Sequence, residues 1–88
     1  MPYWNYRSIE QDNGHWTVRE ILYDDQGTPK GYYPKGVAVF GGDRDEMLED
    51  LDRMMRATFA PAMTSDELLD LMALESRPSR GVEWKDAP

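Results

Sequence analysis

The chain has 88 residues, 40% apolar and 31% charged, with 10 Lys+Arg against 17 Asp+Glu, a net charge of −7 and no cysteine. A chain of this length buries only about 60% of the surface its unfolded form exposes, so it holds one domain with a small core. Lack of cysteine excludes a disulfide framework, thiol chemistry and cysteine-based zinc or iron–sulfur sites.

Aromatic and β-branched residues crowd the first forty positions, a composition that suits a pleated sheet. The spacing predicts a strand over about 3–10, a tight turn at Gln11-Asp12-Asn13-Gly14, and a second strand over about 15–23. On the second strand, Trp16, Val18 and Leu22 share one face by period two, and Glu20 interrupts that face. Ile21 and Tyr23 lie on the other face, which is therefore expected to be partly covered too. Asp24 to Gly31 is dense in turn formers, and a third strand is expected from about Tyr32 to Phe40, best formed over Val37–Phe40. Short connections between the three predict an antiparallel meander, because parallel pairing needs long crossovers.

Asp43, with Glu46 three residues later, has the spacing of a capping box and opens a helix. Met47, Leu48, Leu51, Met54, Met55, Thr58 and Phe59 recur at helical spacing and cover an arc of about 140°, which is expected to lie on the sheet. Asp45, Glu49, Asp52, Arg53 and Arg56 occupy another side, where Glu49/Arg53 and Asp52/Arg56 form i,i+4 pairs. Pro61 ends the helix. Thr64 and Glu67 repeat the cap, and Leu68, Leu69, Leu71, Met72 and Leu74 predict a second, shorter helix over about 65–75. The fold class expected is α+β: a three-stranded antiparallel meander followed by an amphipathic helix and a short helix (βββαα). Residues 1–75 form the single domain, and residues 76–88, around Val82 and Trp84, read as a C-terminal tail.

Little here points to catalysis. His15 is the only histidine and follows a turn, with no nucleophile motif around it. Asp24 and Asp25 lack the ligand spacing of a calcium loop. Gly41-Gly42 precedes a helix but belongs to neither phosphate-binding glycine motif, and three acids in the first turn repel an anion. No enzyme activity, cofactor or metal is expected.

The acidity is local. Residues 43–76 carry ten acids and three bases, net −7; residues 1–42 carry five and four, net −1; residues 77–88 carry two and three, net +1. Such a surface repels phosphate backbones, so no direct nucleic-acid binding is expected, and it attracts basic partners. No apolar run approaches the roughly 20 residues that span a bilayer. The start, Met1 to Arg7, lacks a basic segment leading into an apolar one. A cytoplasmic protein without membrane contact is expected.

Asn13-Gly14-His15-Trp16, then Gly42-Asp43-Arg44-Asp45-Glu46-Met47-Leu48, then Leu51 to Met55, in the order strand–strand–strand–helix, resemble the HicB-like (UPF0150-type) domain over about residues 4–58. The resemblance implies a degenerate ribonuclease-H-like domain that acts as an antitoxin or regulator through protein contacts. The function expected is a small acidic, non-catalytic protein-binding module, with a homodimer as one way to bury the second helix. The alternative is an acidic inhibitor that imitates nucleic acid, such as a phage anti-CRISPR or counter-defence protein. The contact residues expected are Asp45, Glu49 and Asp52 on the acidic helix side, Leu69 and Leu71 on the second helix, and Trp84.

Overall fold

In the computed structural model, which describes residues 1–86, β1 (Tyr3–Glu10) and β2 (Trp16–Tyr23) pair antiparallel from Tyr3↔Tyr23 to Glu10↔Trp16. The turn between them needs a left-handed residue, which Gly14 supplies at φ +82°, and the Asn13 side chain accepts from the His15 N–H at 2.9 Å. β3 (Pro29–Tyr32) continues the antiparallel run beside β2. Then come α1 (Arg44–Ala57), β4 (Met63–Thr64), α2 (Ser65–Leu69), β5 (Met72–Ala73), a 3-10 turn at Pro78–Arg80, and β6 (Glu83–Trp84).

The sheet is mixed, with strand order β4–β1–β2–β3–β5 and β6 also on β1. β4 and β6 run parallel to β1, and β5 parallel to β3. This corrects the three-stranded meander followed by two helices. The chain beyond Phe40 supplies the long crossovers that parallel pairing requires, and its returning segments satisfy backbone groups on both sheet edges. Strands of two residues have too little periodicity to be read from sequence. For the same reason the second helix is shorter than expected: α2 stops at Leu69, and Met72–Ala73 pairs with Gly31–Tyr32 instead. Tight packing marks that junction, because a Cβ on Gly31 would sit 2.9 Å from a Leu74 methyl.

The third strand also falls earlier than expected. Pro29 is tolerated as the first residue of a strand. After the Tyr33 N–H donates to the Glu20 carbonyl at 3.0 Å the chain leaves the sheet, and Val39 and Phe40 are exposed.

Both faces of the sheet are covered. On one, Ile9, Ile21, Tyr23, Met63 and Leu68 are buried together, with Tyr3 stacked on Tyr23 at 4.8 Å. On the other, Trp4, Tyr6 and Ala57 are buried, flanked by Val18, Met54 and Trp84. The period-two alternation of β1 and β2 sorts these residues to the two sides, with α2 over the first and α1 over the second.

α1 begins as expected. Asp43 caps it by accepting from the Glu46 N–H at 2.9 Å, and the Glu46 side chain accepts from the Gly42 N–H at 2.8 Å. Its rotation about its own axis is not as expected. Asp50 and Ala57 are the buried residues of the helix, whereas Met47, Leu51 and Met55 are 38%, 43% and 53% exposed. The reason is polar anchoring. Asp50 accepts from the Tyr6 hydroxyl at 2.8 Å, and the Ser8 hydroxyl donates to the Ala57 carbonyl at 3.0 Å. Turning the apolar arc inward would break both bonds and leave buried polar groups unpaired.

The chain enters α1 through a tight approach at Gly41, where a Cβ would lie 2.4 Å from the Met47 backbone nitrogen. Gly41→Ala is expected to destabilise the fold by about 2 kcal/mol, as an overpacked site does. Gly36→Ala, whose added Cβ meets nothing within 4 Å, is expected to be near neutral. Urea unfolding midpoints of the two variants check the contrast.

Candidate functional site

Four charged or phenolic groups meet between β1, β2, α1 and the chain before β6. Tyr6 and Glu20 are cross-strand partners, and both point to the α1 side. Glu20 is fully buried. One of its carboxylate oxygens accepts from Arg77 Nε and the other from the Ser79 N–H at 3.0 Å. Arg77 Nη2 also donates to the Tyr6 hydroxyl at 3.2 Å, and that hydroxyl donates to Asp50 Oδ1. Asp50 Oδ2 accepts from the Phe40 N–H at 2.9 Å. Two carboxylates thus share one guanidinium, one phenol and two backbone donors. Burial pushes the Tyr6 phenol far above its usual range; its bond to Asp50 and the negative charges of Asp50 and Glu20 add to that, and Arg77 opposes it.

Above this network lies a cleft of about 630 Å³, whose wall includes Trp4, Tyr6, Phe40, Asp50, Arg53, Arg77 and Arg80. The network at its floor is internally hydrogen-bonded, with Glu20 paired to Arg77 and Asp50 held by neutral donors, which is the pattern of a clamp: it joins both central strands to α1 and to the segment after Arg77. Among the described residues no three His, Asp or Glu side chains converge as they would to hold a metal ion. His15 is exposed in the β1–β2 turn.

α1 therefore has three sides. A narrow strip with Asp50, Met54 and Ala57 docks on the sheet. Met47, Leu48, Leu51 and Met55 make an apolar stripe in solvent, extended by Phe59 just past the helix end, which is 79% exposed. Asp45, Glu49 and Asp52 are exposed on the remaining side. Five neighbouring large side chains make this stripe the candidate contact surface. Beside it runs an open groove of about 460 Å³, lined by Leu48, Glu49, Asp52, Arg53, Arg56, Trp84 and Asp86.

Trp84 reaches this groove because β6 pairs with β1, and it is half-buried with the Arg53 guanidinium 5.2 Å from its ring centre. Arg56 pairs with Asp52 at 2.8 Å and with Asp86 at 3.5 Å. The structure thus brings Glu49, Asp52 and Trp84 around one groove, with Asp45 a turn or two away on the same helix side. It does not bring Leu69 and Leu71 there. Leu71 packs half-buried on the opposite core, and Leu69, 73% exposed, lies on that α2 side as well.

Sequence reasoning assigns Met47, Leu51 and Met55 to the core and misses the clamp. One signal for the clamp is present: Glu20 is an acid in the middle of an otherwise apolar strand face. Nothing near Arg77 in sequence marks it as the partner.

Comparison with protein-family models, with curated proteins and with solved structures finds no match.

Removing one member of a buried pair strands the other. Arg77→Met is expected to cost about 3–5 kcal/mol, and Glu20→Leu with Arg77→Met is expected to recover at least half of that loss. Thermal or urea unfolding of the single and double variants reads this. The Tyr6 phenol gives a further test. Its folded pKa lies above the value near 10 of an unfolded tyrosine, so its contribution is fully present below about pH 10 and is lost as pH rises through the folded value. Tyr6→Phe is expected to flatten the alkaline fall in stability, measured as urea midpoints from about pH 8 to about pH 11.

Proposed function

We propose that the protein is a small non-catalytic protein-binding module, antitoxin- or regulator-like, that docks its partner through the solvent side of α1. The observation that carries this is the stripe from Met47 to Phe59, which the fold turns away from its own sheet. Leaving five large apolar side chains in water opposes solubility, and the clamp beneath Asp50 holds them there. Methionine adds adaptability to such a surface, because its flexible thioether accommodates varied neighbours. The antitoxin-like part of the proposal rests on the sequence resemblance to HicB-like domains. The nucleic-acid-mimic alternative gains less support, because the Arg56 ion pairs with Asp52 and Asp86 neutralise part of the acidic row that would stand in for phosphates.

Leu51→Asp tests the proposal without disturbing the core, since the side chain is exposed; its stability is expected to change by no more than about 0.5 kcal/mol. In affinity capture from the native host, a polypeptide retained by the wild-type protein is expected to be lost with Leu51→Asp and Met55→Asp and kept with Leu69→Asp. Identical capture by all four proteins would place the contact elsewhere.

A further inference from the structure

The charge around the α1 stripe specifies what should cover it. Viewed down the helix at about 100° per residue, the stripe has the docked strip on one side and Asp45, Asp52 and Glu49 on the other, with exposed Arg44 in line with the stripe at the helix start. The carboxylate side opens into the groove that holds Trp84 and Asp86. The two guanidiniums in that groove are already engaged, Arg53 over Trp84 and Arg56 with Asp52 and Asp86. The helix with its cap, residues 43–57, carries six acids against three bases. A second copy of this chain would bring the same carboxylate edge and the same net charge of −7, so like charges would meet.

We infer that the stripe takes a basic amphipathic helix of a protein partner. Its apolar face would lie along Leu48, Leu51 and Met55, and its Lys or Arg edge would lie over Asp45 and Glu49, the two carboxylates of that side that are not already ion-paired among the described residues. This deepens the proposed docking function and rests on it. Helix-in-groove recognition uses apolar anchors at i, i+3, i+4 and i+7, and 48, 51 and 55 supply that spacing on the receiving side. The charged edge sets orientation and association rate and weakens with salt. Exposed methionines at 47 and 55 flank the anchors and let the surface adjust to the incoming side chains.

The test uses the full chain and synthetic helical peptides of about 18 residues, long enough to lie along all of α1. One is a leucine/lysine peptide with a single apolar face, the second is its scrambled form without that face, and the third is the leucine/glutamate counterpart of the first. Fluorescence anisotropy of labelled peptide reads binding. The expected result is that the leucine/lysine peptide binds at least tenfold more tightly than either other peptide. Its affinity should fall at least tenfold with Leu51→Asp, fall severalfold with Asp45→Lys and Glu49→Lys together, and drop as salt rises. Circular dichroism of each variant confirms that the fold is kept. If leucine/lysine and leucine/glutamate peptides bind equally and both are lost with Leu51→Asp, the partner class is wrong and the docking face stands. If Leu51→Asp binds the leucine/lysine peptide as well as wild type does, the docking face itself is wrong. Preferential binding of wild type to zwitterionic vesicles over any of the peptides would overturn the inference in favour of a lipid surface.

Discussion

The fold turns on one buried ion pair. Glu20 sits in the middle of the central hairpin with no solvent contact, and Arg77, far along the chain, is the cation that makes its burial tolerable. Through the Tyr6 hydroxyl the same guanidinium reaches Asp50, so the charge balance of the sheet and the placement of α1 form one polar network. Such a pair adds little net stability compared with apolar packing. What it supplies is uniqueness, because only one rotation of α1 presents Asp50 to Tyr6 and to the Phe40 N–H.

That rotation decides which side of α1 faces solvent. A helix with an apolar arc normally turns it toward a sheet, and burial of that arc would stabilise the fold. Here Trp4 and Tyr6 already fill the space, packed edge to face at 4.9 Å, and Ala57 lets the helix backbone come close enough for Ser8 to reach its carbonyl. The core on this side is aromatic and is closed by Asp50, Met54 and Ala57 of the helix. The apolar stripe is left over, and its solvent position follows from how the core was completed.

The segment after Leu74 ties these parts together. Ser79 and Arg77 cap Glu20, the Lys85 N–H donates to the Trp4 carbonyl at 3.0 Å, and Trp84 forms the wall opposite the acidic side of α1. Core, clamp and groove therefore share elements, and a change in one is felt in the others.

The sequence by itself determined the local features. Asn13-Gly14 marked the first turn, alternation marked β1 and β2, and Asp43 and Thr64 marked the two helix starts, because each depends on residues within four positions of one another. It also gave the acidic side of α1 and named Glu49, Asp52 and Trp84. It did not reveal that the last three share a groove, that β4, β5 and β6 add parallel strands, or which side of α1 meets the sheet. Periodicity reports that a helix has an apolar side but not what lies opposite it. The tertiary structure decided that, through hydrogen bonds between residues 44 positions apart at Tyr6 and Asp50 and an ion pair 57 positions apart at Glu20 and Arg77. At those separations no local pattern carries the information, and the cost of an unpaired buried charge selects the arrangement.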